Sequence, residues 1–235
     1  MAWARAPRCL TIDPVLSGGM TTDPAGVSVL VPVYRSTTSL SELVRRIEST
    51  LDSVCCFEII LVDDGSPADT WHEVLSICAT SPSVRGIRLS RNFGQHNALL
   101  AALRHAKYPI AVTLDDDLQN PPEEIPRLVN ALIEGDLDVV YGVPEVMQQA
   151  PSRRLAGRLN RRLLRSGLGV KSAPDFSSFR AFRTDLREAF VGELGNSVSI
   201  DSLLSWGAGR YGSCTVRHEN RAYGSSGYSF GKLQR

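Results

Sequence analysis

The densest chemistry in this sequence lies in the stretch Val112-Thr-Leu-Asp-Asp-Asp-Leu-Gln-Asn-Pro-Pro-Glu123. Asp115, Asp116 and Asp117 close an apolar run from Ile110 to Leu114. Carboxylates crowded at a poorly hydrated position cannot all ionise unless a cation offsets their repulsion. On an extended segment residues i and i+2 point the same way, so Asp115 and Asp117 can share one ion while Asp116 faces elsewhere. Hard oxygen ligands select Mg²⁺ or Mn²⁺, usually held by one or two carboxylates with substrate phosphates completing the shell. The same triplet also fits a solvated acidic loop at a helix N-terminus. The triplet alone leaves both open.

The elements that must position these residues alternate in type. Val27 to Val33 and Phe57 to Val62 are short β-rich runs, followed by strands predicted over Val84–Leu89, up to Leu114, and Asp138–Val143. Helices are predicted between them. One starts at Ser39 with Glu42 as a capping box, and another has Thr70 and Glu73 in that pattern, with Trp71, Val74, Leu75 and Cys78 lining it. An Ala/Leu-rich helix ends near Lys107, and one carrying Ile125, Leu128, Val129 and Leu132 stops at Gly135. Such alternation predicts an α/β fold with an open, mostly parallel sheet, whose ligands sit beyond the carboxyl ends of the strands. The polar clusters at 34–36, 63–66, 90–95 and 115–119 all fall at such ends.

Length and composition add bounds. The 235 residues suit one domain, and 43% hydrophobic with 22% charged residues is ordinary globular usage. Net charge is +1, which selects no partner. Cysteines 9, 55, 56, 78 and 214 lack metal-ligand spacing and read as reduced thiols of the cytosol. Residues 1–26 read as a disordered extension without a signal-peptide core, and Met20 is an alternative start. No apolar run reaches the 18 or so residues of a membrane span.

From residue 150 the character changes. Between Pro151 and Pro174, Arg153, Arg154, Arg158, Arg161, Arg162, Arg165 and Lys171 appear with no acidic residue, and Leu155, Leu159, Leu163 and Leu164 recur at helical spacing. This pattern suits an anionic membrane surface, and equally a helix packed on the core with a solvated arginine face. Nucleic acid is disfavoured because no aromatic platform accompanies the arginines. Farther on, Ser177–Arg183 is a strand or hairpin, Ser199–Trp206 a helix and Cys214–His218 a strand. His72, His96, His105 and His218 show no pairing pattern and read as structural.

Taken together, Val31-Pro-Val-Tyr34, Leu61-Val-Asp-Asp-Gly-Ser-Pro67, Arg91-Asn-Phe-Gly94 and Leu114–Glu123 resemble glycosyltransferase family 2 with the GT-A fold. Ser178-Phe-Arg180 and Arg221-Ala-Tyr-Gly-Ser-Ser226 narrow the resemblance to polyprenyl-phosphate glycosyltransferases similar to dolichol-phosphate mannose synthase. It covers about Val27 to Leu233. It implies a Rossmann-like sheet flanked by helices, with a nucleotide-sugar and metal half at 27–145 and an acceptor- and membrane-facing half at 146–233.

The resemblance also assigns roles. Pro32 and Tyr34 would flank the nucleotide base, Asp64 with Asp63 would bind base or ribose, and Arg91 would lie beside the nucleotide. Asp115, Asp117 and Gln119 would hold Mg²⁺ or Mn²⁺, whereas Asp116 stands where many relatives have alanine. Arg180 and Arg221 would neutralise donor or acceptor phosphates through bidentate contacts, and Ser226 would bond the acceptor phosphate.

The implied reaction moves a sugar, with inversion, from a nucleotide-diphosphate sugar to a polyprenyl phosphate (undecaprenyl or dolichyl) for cell-envelope glycan synthesis. A phosphate monoester has a second pKa near about 6 and needs no strong base. Some relatives place a carboxylate where this chain has Ser178, and Asp201 is the fallback base for a hydroxyl acceptor. Two alternatives stay open: a family 2 transferase to a sugar hydroxyl, and a non-catalytic module binding anionic lipid or nucleic acid through 151–174. Many bacterial relatives continue past Lys232-Leu233 into two transmembrane helices, so the expected place is peripheral, at the cytoplasmic face of the membrane. A homo-oligomer is compatible with the sequence.

Overall fold

The structure, a computed structural model, describes residues 26–36, 39–145, 177–190 and 199–219. Strands β1 (Val27–Val33), β2 (Phe57–Asp63), β3 (Val84–Arg88), β4 (Ile110–Thr113), β5 (Val139–Pro144), β6 (Arg180–Arg183) and β7 (Tyr211–Val216) form one sheet in the order β3-β2-β1-β4-β6-β5-β7. Every neighbouring pair is parallel except those of β6, which runs antiparallel between β4 and β5. Ser177–Arg183 thus resolves into a strand. The two halves expected at 27–145 and 146–233 both contribute strands to this sheet.

Helices α1 (Leu40–Leu51), α2 (Ala68–Thr80), α3 (Gln95–His105), α4 (Ile125–Glu134) and α5 (Ile200–Gly207) cover both faces. Because side chains alternate along a strand, β1 sends Val29 and Val31 to one face and Leu30 to the other. The first group packs with Leu43, Ile47, Leu128 and Leu132 of α1 and α4. Leu30 packs with Leu99 and Leu103 of α3 and Leu204 of α5. Burial on both faces explains the near-continuous apolar runs of β1 and β2, and truncating one such leucine to alanine would cost about 2–5 kcal/mol.

Four local expectations need correction. Ser39 occupies the N-cap of α1, but its side chain makes no capping bond; its hydroxyl meets Ser36 Oγ at 2.8 Å, and Glu42 is drawn to Arg45. Helix α2 starts after Pro67, so Thr70 lies within the helix and buried, while Glu73 accepts from Ser41 of α1 at 2.6 Å. Leu75 points outward at 46% exposure, and Ile77 takes the core position instead. Strand β7 begins at Tyr211 and ends at Val216 rather than spanning 214–218.

The edge of the sheet away from the aspartates is pinned by Glu58. Its Oε1 accepts from Ser28 Oγ and the Lys107 N–H, both at 2.7 Å, and Arg85 pairs with Oε2 at 2.5 Å. Cys55, Cys56, Cys78 and Cys214 are free thiols, and burial pushes Cys55 up to about 11. Among the described residues no helix is long and apolar enough to cross a membrane. Residues 1–25 and the basic segment 151–174 lie outside the described residues.

Candidate active site

The four polar clusters meet at the carboxyl ends of β1, β2, β3 and β4, and hydrogen bonds tie them to one another. The Arg35 N–H donates to Ser66 Oγ at 2.9 Å, linking the loops after β1 and β2. The Asp64 carboxylate accepts from the N–H groups of Phe93 at 2.7 Å and Gly94 at 2.8 Å, linking β2 to the entry of α3. Asp115 Oδ1 accepts from Gln95 Nε2 at 2.6 Å, closing the circuit to β4.

Asp63 and Asp64 prove to be internal. Asp63 is fully buried, with Oδ1 accepting the Ser66 N–H at 2.9 Å and Oδ2 facing Arg88 Nε at 3.3 Å. It closes the turn that carries Gly65. Asp64 is 2% exposed, and burial raises its pKa despite the two backbone donors that stabilise its charge. Both carboxylates are engaged by the protein's own backbone N–H groups. Tyr34, by contrast, is exposed, as are Arg91 and Phe93, whose side chains stack with the guanidinium carbon 4.8 Å from the ring centre. Pro32 is half-buried at the end of β1.

Beyond Thr113 the chain leaves the strand, and Asp116–Asp117 form a turn rather than the extended segment assumed from the sequence. The coupling of the carboxylates survives this change. Asp115 is pushed up by burial and by Asp117, against the opposing bonds from Ser178 and Gln95. Asp116 is pushed up to about 7 by burial and by both neighbours, and its Oδ2 is buried without a hydrogen-bond partner. Asp117 Oδ1 accepts the Gln119 N–H at 3.1 Å. Between them Leu118 is 3% exposed at φ 61°, a left-handed conformation that costs a leucine roughly 1–3 kcal/mol.

These features fit a divalent cation. A repelling carboxylate cluster with an orphaned buried oxygen is the donor set that a hard cation balances. Among the described residues no three His, Cys, Asp or Glu side chains are grouped to hold a metal by themselves. Asp115, Asp117 and Gln119 would supply part of a shell, leaving the remainder for phosphate and water.

Sequence reading missed what holds Asp115. Its second oxygen accepts from Ser178 Oγ at 2.5 Å, and the Ser178 carbonyl in turn accepts from Thr113 Oγ1 at 2.5 Å. Arg180 Nε donates to Thr113 Oγ1 at 3.2 Å, and its NH1 pairs with Asp201 Oδ1. Tyr141 donates its hydroxyl to that same Oδ1 at 2.9 Å. The only signal for Gln95 was its place in a polar strand-end loop. Arg180 is 2% exposed, with its Nε directed to Thr113 and its NH1 to Asp201. Asp201 is likewise engaged with Arg180 and Tyr141 rather than poised as a base. Arg221 and Ser226 lie outside the described residues.

A mostly parallel sheet with helices on both faces and an aspartate-rich loop beyond its fourth strand has the architecture of a GT-A glycosyltransferase. The fold matches a mannosyltransferase from Pyrobaculum calidifontis solved with GDP-Man and Mn²⁺, at a TM-score of 0.58 and 23% identity, covering 84% of this chain and 58% of that one. It also matches glucosyl-3-phosphoglycerate synthase from Mycobacterium tuberculosis solved with Mn²⁺ and UDP-Glc, at 0.59 and 23%, covering 84% and 72%. Residues 28–190 match the family model for glycosyl transferase family 2, and the chain belongs to that family. Curated relatives named undecaprenyl-phosphate 4-deoxy-4-formamido-L-arabinose transferase are 41% identical, in Edwardsiella ictaluri (strain 93-146) over 211 residues and in Enterobacter sp. (strain 638) over 210. Each alignment covers 88% of this chain, which spans 64% of the relatives' length.

Proposed function

We propose that the chain carries the catalytic domain of an inverting transferase that moves a sugar from a nucleotide-diphosphate donor to a polyprenyl phosphate, in cell-envelope glycan synthesis. The observation that carries this reading is the meeting of four strand-end loops around Asp115–Asp117, combined with 41% identity to transferases named for undecaprenyl phosphate. The sugar is proposed to be a hexose- or pentose-type residue related to the one in the relatives' name.

Tyr34 and Pro32 would flank the base, with Arg91 near the diphosphate. Asp115, Asp117 and Gln119 would hold Mg²⁺ or Mn²⁺, which when bound neutralises charge on the departing diphosphate. Gln95 and Ser178 fix the Asp115 carboxylate so that it does not have to reorganise as that charge develops. Arg221 and Ser226 would bind the acceptor phosphate, whose oxygen attacks the anomeric carbon opposite the leaving group and inverts it. Arg180 supports the site from beneath rather than meeting phosphate.

The engagement of Asp201 by Arg180 and Tyr141 favours a phosphate acceptor over a sugar hydroxyl. A hydroxyl must lose a proton to a base, and the Oδ1 of this carboxylate is already taken by the Arg180 and Tyr141 donors. Peripheral attachment at the cytoplasmic face of a membrane, through the basic 151–174 segment, is part of the same proposal.

The test is thermal unfolding with UDP, GDP and dTDP, each with and without Mn²⁺, followed by transfer to undecaprenyl phosphate with the nucleotide sugar of the base that binds. One nucleotide should give a metal-dependent shift and lipid-dependent transfer. No shift with any nucleotide, or transfer without the lipid, would overturn the reading.

A further inference from the structure

Arg35, in the loop that follows β1, holds a backbone conformation that its side chain disfavours. Its φ is 56°, in the left-handed region. The conformation is fixed from outside, because the Arg35 N–H donates to Ser66 Oγ at 2.9 Å and Ser66 is only 5% exposed. Two other non-glycine residues among those described share the left-handed region, and both gain contacts there. Leu118 buries its side chain, and Asp136 pairs with Arg183 and Arg210. The Arg35 side chain is exposed and makes neither kind of contact. Strain that the folded protein does not repay points to a role in binding.

The guanidinium of Arg35 also lacks an acid. Even the well-exposed Arg45, Arg127 and Arg217 pair with carboxylates. Arg35 has no ion-pair partner among the described residues, and its guanidinium carbon instead lies 5.2 Å from the centre of the Tyr34 ring. Stacking occupies the flat face of a guanidinium and leaves its N–H donors, which lie in its plane, for an anion. In the chain Arg35 stands between two residues that face the two ends of the proposed donor. Tyr34 lies on the base side. Ser36, on the other, hydrogen-bonds the Asp116 side chain in the aspartate loop, where the diphosphate would sit.

We propose that Arg35 is a donor-binding residue whose guanidinium contacts a phosphate of the nucleoside diphosphate. The inference rests on the function proposed above. A relaxed backbone at this position would swing the side chain away from Tyr34, and the bond to Ser66 prevents it. The cation is thus placed before the nucleotide arrives, which lowers the ordering cost of binding. It also counters the repulsion that a diphosphate meets from Asp115, Asp116 and Asp117.

The test compares wild type with Arg35→Gly and Arg35→Gln, using the full chain, with UDP, GDP and dTDP plus Mn²⁺ as probes. Arg35→Gly removes the cation and relieves the strain together. Without nucleotide its melting temperature should equal or exceed that of wild type. Its affinity for the nucleotide that wild type prefers should fall roughly tenfold. Arg35→Gln keeps the strain and loses the charge, so affinity should fall by a similar factor with no gain in melting temperature. For both variants the gap from wild type should narrow as salt is raised, since exposed charges are screened. Wild-type affinity in both variants, or a gap that salt leaves unchanged, would overturn the phosphate contact. A lowered melting temperature in Arg35→Gly that accompanies its loss of affinity would overturn it in favour of a structural role. Failure of the wild-type protein to bind any of the three nucleotides would instead overturn the functional reading itself.

Discussion

Arg180 on β6 and Asp201 on α5 form a part-buried ion pair, with Arg180 2% exposed, the Asp201 side chain 19% exposed and Tyr141 donating to the same carboxylate oxygen. Through Thr113 and Ser178 this pair is connected to Asp115 by continuous hydrogen bonds. Removing Asp201 leaves the buried Arg180 charge uncompensated. Asp201→Ala is therefore expected to destabilise the fold by about 3 kcal/mol, and Asp201→Asn by less, since it keeps an acceptor for both donors. Denaturant unfolding measures both. If Asp201→Asn abolished transfer while leaving stability and nucleotide binding intact, Asp201 would be the base after all.

Asp117→Ala is expected to remove the metal-dependent part of nucleotide stabilisation. In wild type at ~100 times the dissociation constant that stabilisation is about 2.7 kcal/mol. Transfer activity should fall by about 100-fold or more, as for loss of a group that stabilises transition-state charge. A variant that keeps the Mn²⁺-dependent shift would remove Asp117 from the metal site.

Gly65→Ala should be destabilising by more than about 1 kcal/mol. Gly65 sits at φ +67°, and an added Cβ would lie 2.3 Å from the Arg91 carbonyl carbon. The clash is with backbone, so the 91–94 loop would have to retreat and loosen its bonds to Asp64. Nucleotide affinity should weaken with it. Wild-type melting and binding for this variant would contradict the close approach of the two loops.

Acid stability should depend on Asp138. Burial acts to raise its pKa, but the Arg210 side chain and the N–H groups of Gly209 and Arg210 outweigh it, so the folded value lies below the ordinary 3.8. A depressed carboxylate pKa contributes stability that is complete above the unfolded value and is lost as pH falls through the folded one. Unfolding midpoints should drop as pH is lowered below about 4, with a shallower drop in Asp138→Asn. Parallel curves for the two proteins would show that β7 is not held through this carboxylate.

Parts of this fold are written locally and parts are not. The strands β1 and β2 and the helix α4 were legible because unbroken β-branched runs and a 3.6-residue apolar period need no distant partner to be interpreted. The caps of α1 and α2 were misread because Ser39 had a neighbouring hydroxyl, Ser36, to bond, and Pro67 started α2 before Thr70 could cap it. In the candidate site, the aspartate loop and the strand-end clusters announced themselves by polarity after apolar runs. The supports of Asp115 did not: Gln95 and Ser178 lie 20 and 63 residues away, and only the sheet brings them to it. The pairing of Arg180 was hidden as well, because no local pattern shows that a carboxylate 21 residues later meets it.

The placement of β6 has a consequence for how the chain is made. β4 and β5 are complete once Pro144 has emerged from the ribosome, yet the strand that joins them begins at Arg180. At roughly 5–20 residues per second, the nascent protein waits a few seconds with one edge of β4 and both edges of β5 unpaired. During that interval the half already synthesised can neither close its sheet nor hold Asp115 through Ser178. The protein should accordingly depend on chaperones for productive synthesis more than its size suggests, and it should gain its metal-binding competence only after β6 is inserted.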